Sequence, residues 1–105
     1  MSIQDTIRGQ VTGNRVVLYM KGTPQFPQCG FSSAAVQMLQ ACGVSDLVTV
    51  NVLANADIRQ GIKDYANWPT IPQLYVGGEF VGGSDIMREM YESGELQQVL
   101  ARQPA

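Results

Sequence analysis

The chain has 105 residues, 45% of them hydrophobic, and its seven basic and nine acidic residues give a formal net charge of -2 at pH 7. This length and composition indicate one globular domain, residues 1–105, and the acidic balance argues against a nucleic-acid partner, because nucleic-acid modules carry a basic excess. Histidine is absent and cysteine occurs twice, which excludes a His-based triad, a histidine metal ligand and a four-thiolate metal site within one chain.

Apolar periodicity predicts the first half of the chain as helix, strand, helix and strand. Ile3, Ile7 and Val11 follow four-residue steps, which indicates a short amphipathic helix. Ser2 is its expected N-cap and Gly13 its expected end. The next segments are predicted as a buried strand, a proline-rich loop, a helix and an alternating strand, over residues 16–20, 21–28, 29–42 and 48–52. The second helix carries an apolar stripe formed by Phe31, Ala34, Ala35, Met38, Leu39 and Cys42.

The second half of the chain predicts a third helix, a hairpin and a last helix. The third helix is expected over residues 55–66. Gly77-Gly78 separates two short apolar runs, a pattern typical of a β-hairpin. Ser84 or Asp85 is expected to cap the last helix, and a final turn is expected over residues 96–100.

This order of elements predicts an α/β, thioredoxin-like fold. A strand–helix–strand unit favours a parallel pair with a right-handed crossover, and the hairpin adds an antiparallel pair. The expected architecture is therefore a four-stranded mixed sheet flanked by helices on both faces.

Cys29 follows the proline-rich loop and opens the second helix, a position that favours a thiolate. Backbone N–H groups and the helix dipole stabilise negative charge at a helix start. Lys21, at the end of the first strand, is expected to face the same spot across the loop. We therefore expect the pKa of the Cys29 thiol to lie below its free value of about 8.5. The alternative is a buried structural cysteine, which the exposed position expected of such a loop disfavours.

No second thiol is placed to pair with Cys29. Ser32 stands three residues later, so the C-x-x-C motif of dithiol oxidoreductases is absent. Cys42 follows Cys29 by thirteen residues, which in a helix is roughly 20 Å, whereas a disulfide needs α-carbons within about 7 Å. We interpret Cys42 as a small core residue.

From the sequence we expect neither a secretory leader nor a membrane segment. Residues 1–10 lack a cationic region followed by an apolar stretch, and no apolar run approaches the ~20 residues of a membrane span. We expect a cytoplasmic protein with no membrane contact, in a reducing setting where its thiols are free, catalytic or ligating.

Three further patterns are compatible with a ligand site or with a purely structural role. Pro72 in a cis bond would expose the backbone of Ile71 to an extended peptide, but it is also typical of an edge strand. Residues 82–85 offer N–H donors to a carboxylate or form a simple turn. Arg59 and Lys63, one helical turn apart, clamp a carboxylate or are merely solvated.

Residues 21–32, KGTPQFPQCGFS, and residues 68–85, WPTIPQLYVGGEFVGGSD, together resemble the monothiol glutaredoxins of the CGFS type. The resemblance extends over nearly the whole chain and implies a thioredoxin-like fold that binds glutathione, a tripeptide with two carboxylates and a thiol. Ser84 stands where many relatives carry a cysteine, so a disulfide between that position and Cys29 is excluded.

The resemblance also implies the roles of individual residues. Cys29 is expected to be the reactive thiolate and a cluster ligand. The backbone of Ile71 would pair with glutathione, Ser84 and Asp85 would hold its γ-glutamyl end, and the basic residues would bind its glycyl end. The implied glutathione-binding positions are Lys21, Phe31, Arg59, Lys63, Thr70, Ile71, Pro72, Gly83, Ser84 and Asp85.

The favoured function is an iron–sulfur carrier rather than an enzyme. A [2Fe–2S] cluster needs four ligands, and Cys29 from each of two chains with two glutathione thiols supplies them in a homodimer. The apo form is expected to be a monomer. The resemblance further implies a BolA-like protein as partner and apo iron–sulfur proteins as recipients.

Two alternatives remain open. The first is a glutathione-dependent thiol transferase that acts on glutathione–protein mixed disulfides, chemistry that requires one cysteine. CGFS members of the family are generally poor at this reaction, and the loop over residues 21–28 is longer than in dithiol relatives. The second alternative is a thioredoxin-like scaffold with an incidental thiol. Metal binding distinguishes the carrier from the transferase.

Overall fold

A computed structural model describes residues 2–103 of the chain. The helices are α1 (Ile3–Thr12), α2 (Gly30–Ala41), α3 (Ala56–Ala66), α4 (Ser84–Ser93) and α5 (Glu95–Ala101). The strands are β1 (Val16–Met20), β2 (Leu47–Asn51), β3 (Gln73–Val76) and β4 (Glu79–Gly82), and a 3₁₀ turn spans Val52–Ala54. Within residues 2–103, every helix is too short or too polar to cross a membrane.

The four strands form one mixed sheet in the order β2-β1-β3-β4. β1 pairs with β2 in parallel, and β3 pairs antiparallel with both β1 and β4. In this register Val17 of the central strand lies between Val48 and Tyr75. The parallel pair is joined through α2 and the antiparallel pair through the Gly77-Gly78 turn, as the sequence predicts.

Two apolar cores cover the two faces of the sheet. Val16, Leu18 and Met20 of β1 pack in the core formed with α2, α4 and α5. Val17 and Tyr19 point to the opposite face and pack in the core formed with α1 and α3. Because successive side chains of a strand alternate between faces, β1 is covered on both sides. The predicted thioredoxin-like architecture is confirmed.

Three predictions about individual elements differ from the structure. Val52 lies in a 3₁₀ turn and not in a strand, because the side chain of Asn51 accepts the backbone N–H of Leu53 and turns the chain. The N-cap of α4 is Gly83, without a side-chain cap, so Ser84 already belongs to the helix. The expected final turn is the complete helix α5.

The first turn of α2 also differs from the predicted apolar stripe. Phe31 is 61% exposed, whereas Ser32 is fully buried. Phe31 therefore does not pack in the core formed with α2, α4 and α5. Farther along α2, Ala35, Met38 and Leu39 are buried as predicted, and Cys42 packs half-buried against the core of α2, α4 and α5. The prediction is wrong for Ala34, which is only partly buried and lies outside this core, and it missed Val36, which is buried in it.

Arg15 anchors the C-terminal helix to the sheet. Its guanidinium makes two hydrogen bonds of 2.6 Å to the carboxylate of Asp46, which precedes β2. Its Nη1 also donates to the backbone oxygens of Leu100 and Gln103, at 3.0 and 2.8 Å. A cation placed on the last carbonyls of a helix also interacts favourably with the helix dipole.

We predict that Arg15→Met lowers the melting temperature at pH 7 more than Arg8→Met, which removes an exposed arginine of α1. Hydrogen bonds from Arg15 hold the pKa of the Asp46 carboxyl below its usual range. A depressed folded-state pKa contributes stability above the unfolded value of about 3.9, and this is lost as the pH falls through the folded value. The difference in melting temperature between Arg15→Met and Arg8→Met should therefore become smaller in acid. Equal melting temperatures of the two variants at pH 7 would contradict this.

Candidate functional site

Cys29 is the N-cap of α2 and is half-buried. The pKa of its thiol is lowered, chiefly because the backbone N–H of Ser32 donates to the sulfur. Partial burial opposes this effect. The N–H of Phe31, the charge of Lys21 and the Ser32 hydroxyl add to the lowering. The low thiol pKa predicted from the sequence is confirmed, and the helix start contributes through specific N–H groups.

The buried hydroxyl of Ser32 ties the helix to the central strand. Its Oγ accepts the backbone N–H of Lys21 at 3.1 Å. This bond joins the end of β1 to the first turn of α2 and places Lys21 near Cys29. Sequence analysis treated Ser32 as the absence of a second cysteine, and its structural contact was missed.

The loop over residues 21–28 is closed by its own backbone. The N–H of Gln28 donates to the carbonyl of Lys21 at 2.9 Å, and Thr23 and Phe26 exchange backbone hydrogen bonds of 3.1 and 3.3 Å. Gly22 has φ +90, and a Cβ there would lie 2.5 Å from the Phe26 oxygen. A glycine is therefore required where the chain leaves β1.

Residues 68–73 form a second wall, which contains the predicted cis bond between Ile71 and Pro72. Gln73 is fully buried, and its Nε2 donates to the carbonyls of Trp68 and Thr70 at 3.1 and 3.2 Å. Its Oε1 accepts the hydroxyl of Tyr75 at 3.0 Å. Sequence analysis missed Gln73, although one amide at the start of an apolar strand is a recognisable signal.

Gly83 allows the start of α4 to approach this wall closely. A Cβ at Gly83 would lie 3.3 Å from both the Pro72 oxygen and the Trp68 Nε1. The Trp68 Nε1 is buried and has no hydrogen-bond partner among residues 2–103. A larger residue at position 83 would therefore be crowded by this wall, although its φ of -89 is one that other residues adopt.

A cavity of about 440 Å³ lies where these elements meet. It combines a thiol, two ammonium groups, one carboxylate and an apolar wall. Its lining residues are Lys21, Cys29, Phe31, Lys63, Pro69, Thr70, Ile71, Pro72, Ser84 and Asp85. Residues that are far apart in the sequence therefore line one cavity.

Two of the predicted glutathione-binding positions do not line the cavity. Arg59 is exposed on α3, one turn before Lys63 and farther from the segment that carries the wall. Gly83 lies behind the lining, where it determines how closely α4 packs. Conversely, Pro69 lines the cavity although it was not among the predicted glutathione-binding positions.

The chain is similar to known proteins over most of its length. Residues 16–81 match the family model described as Glutaredoxin. The chain is 62% identical over 90 residues to a monothiol glutaredoxin of Synechocystis, covering 86% of this chain and 83% of that protein. It is 54% identical over 96 residues to glutaredoxin 4 of Escherichia coli, covering 91% and 83%. The solution structure of reduced apo GrxS14 from poplar superposes with a TM-score of 0.84 at 50% identity, covering 96% and 92%.

We predict that Cys29 reacts with iodoacetamide at lower pH than Cys42. The thiolate is the reactive form, and burial raises the pKa of the Cys42 thiol whereas the contacts of Cys29 lower its own. Lys21→Met should shift the Cys29 profile to higher pH, and Arg8→Met should leave it unchanged. Alkylation rates resolved by peptide mass spectrometry measure both profiles. Coincident profiles for the two cysteines would be incompatible with a thiolate stabilised by the helix start.

Proposed function

Since the chain belongs to the monothiol glutaredoxin family, we propose that it binds glutathione and carries a [2Fe–2S] cluster in a homodimer for transfer to apo proteins. The observation that supports this most directly is the cavity, which places the Cys29 thiol among groups complementary to a zwitterionic thiol peptide. The apo chain is expected to be a monomer.

The charges in the cavity match those of glutathione. Lys21 and Lys63 supply cations for the glycyl carboxylate, and Asp85 supplies an anion for the α-ammonium group. The first turn of α4, a helix of ten residues, offers N–H donors to the γ-glutamyl carboxylate. The volume of about 440 Å³ lies within the range of small-ligand sites, roughly 300–1,000 Å³.

The donor set requires two chains and an external thiol. Within residues 2–103 there is no group of three or more Cys, Asp or Glu side chains that could hold a metal ion. Cys29 supplies one thiolate per chain, so a dimer supplies two of the four ligands of a [2Fe–2S] cluster, and two glutathione thiols complete the set. Cys29 would bind the cargo, while Lys21, Lys63 and Asp85 would orient the glutathione that ligates it.

The half-buried Cys29 thiol, which lines the cavity and has a lowered pKa, also supports thiol transfer as a second candidate. The Cys29 thiolate would attack the glutathione sulfur of a mixed disulfide, forming a new S–S bond and releasing the target as its thiolate. A second glutathione thiolate would then attack that bond, releasing glutathione disulfide and restoring Cys29. The target gains the proton and two electrons supplied by glutathione. Ser32 offers no second thiol, so resolution must come from glutathione.

The wider assignments stay predictions. A BolA-like partner, apo iron–sulfur recipients and a cytoplasmic location were inferred from the resemblance and from the composition of the chain. They depend on surfaces and on a cellular setting beyond the cavity itself.

We predict that anaerobic reconstitution with iron, sulfide and glutathione gives a coloured dimer of about twice 11.4 kDa. Cys29→Ser should remain a colourless monomer, because it removes one ligand per chain. Cys42→Ser is the matched control, since that thiol packs against the core away from the cavity, and it should still form the coloured dimer. Visible absorption and solution mass are the measurements. A colourless wild-type monomer that reduces glutathione mixed disulfides would favour the transferase instead.

The two basic residues of α3 give a separate prediction for glutathione affinity. Lys63→Ala should weaken binding by roughly two- to tenfold, the range that corresponds to a typical net hydrogen-bond contribution of about 0.5–1.5 kcal/mol. Arg59→Ala should change it by less than about twofold, because exposed charges away from a ligand are screened. Calorimetric titration of the apo protein compares the two. Equal losses of glutathione affinity in the two variants would place Arg59 at the glutathione carboxylate as well.

A further inference from the structure

We propose that Asn51 is a positioning residue, which holds the loop over residues 21–28 so that Lys21 lines the cavity at Cys29. This inference rests on the proposed glutathione site, because Lys21 is one of its expected cations. Asn51 itself does not line the cavity.

The contact runs between two neighbouring strand ends. Asn51 is the last residue of β2 and lies opposite Met20, the last residue of β1. Since the two strands are parallel, the segments that follow β1 and β2 leave the sheet at the same edge. The Asn51 Oδ1 accepts the backbone N–H of Gly22 at 2.9 Å and that of Leu53 at 3.0 Å.

Gly22 depends on this side chain for its hydrogen bond. It is buried, and its N–H donates to Asn51 Oδ1 and to no backbone carbonyl of residues 2–103. A Cβ at this position, where φ is +90, would lie 2.5 Å from the Phe26 oxygen and 2.7 Å from the Gln28 nitrogen, so the backbone of the loop packs closely around Gly22. Loss of the Asn51 oxygen would leave a buried donor unpaired, which the loop can relieve only by opening toward water.

The dipeptide Lys21–Gly22 is therefore held from both sides. The N–H of Lys21 donates to Ser32 Oγ in α2, and the N–H of Gly22 donates to Asn51 at the end of β2. A backbone held in this way presents the Lys21 side chain to the cavity before a ligand arrives. Preorganisation of this kind raises affinity because less ordering is needed on binding.

Asn55 provides a matched control, because it uses the same chemistry locally. Its Oδ1 accepts the N–H groups of Asp57 and Ile58 at 2.9 and 3.1 Å, both within its own helix. Asn51 and Asn55 are thus two asparagine caps with two acceptor bonds each. They differ in that one of the Asn51 bonds crosses to the loop over residues 21–28.

The experiment compares Asn51→Ala, Asn51→Asp and Asn55→Ala with the wild-type protein. Three quantities are measured: the melting temperature, the dissociation constant for reduced glutathione, and the hydrogen-exchange rate of the Gly22 amide by NMR. We expect both alanine variants to lose thermal stability. Asn51→Ala alone should weaken glutathione binding, by up to about tenfold, and alone should accelerate Gly22 exchange. Asn51→Asp keeps the acceptor and should restore slow exchange.

Two results overturn the inference. The first is an Asn51→Ala variant that binds glutathione as tightly as Asn55→Ala. The second is a Gly22 amide that stays protected without the Asn51 oxygen. Should Asn51→Ala not fold, Asn51→Ser replaces it, because serine can still cap Leu53 but its side chain is one bond too short for Gly22. A wild-type protein without glutathione affinity would contradict the proposed function, and Gly22 exchange would still test the role of Asn51.

Discussion

The complete burial of β1 is the constraint on which the rest of the molecule depends. All five of its side chains have 0% exposure, because α2, α4 and α5 cover one face and α1 and α3 cover the other. A strand enclosed in this way cannot shift by one residue without moving apolar groups to the wrong core. Its end at Met20 is therefore a rigid point, and Lys21 and Gly22 leave the sheet from it.

The chemistry of the site follows from three segments gathered around that point. Ser32 connects the start of α2 to Lys21, Asn51 connects the end of β2 to Gly22, and Gln73 holds the wall before β3. Each uses a side-chain oxygen or amide to satisfy backbone groups of an irregular segment, which a folded chain requires. The thiolate of Cys29 is stabilised where these segments meet, by N–H groups more than by a single opposite charge.

Much of this architecture was predictable from the sequence, and the errors arise where tertiary packing decides whether a side chain is buried or lines the cavity. Periodic apolar patterns and the Gly77-Gly78 turn placed the helices, the hairpin and the mixed sheet, because local burial patterns report on regular elements. Phe31 was assigned to an apolar stripe, yet its side chain is exposed and lines the cavity. Arg59 and Lys63 were equivalent in the sequence, and packing alone separates them: Lys63 lines the cavity and Arg59 does not.

By itself, the sequence determined the residue types and the local features that the chemistry needs. A cysteine after a proline-rich loop, a helix that starts beside it, and motifs specific enough to indicate the family can all be read from neighbouring residues. The tertiary structure alone decided which side chains meet. Asn51 and Gly22 are 29 positions apart in the sequence, and no periodicity couples them. Contacts of this kind depend on strand pairing and register, which arise from the balance of burial over the whole chain rather than from any single segment.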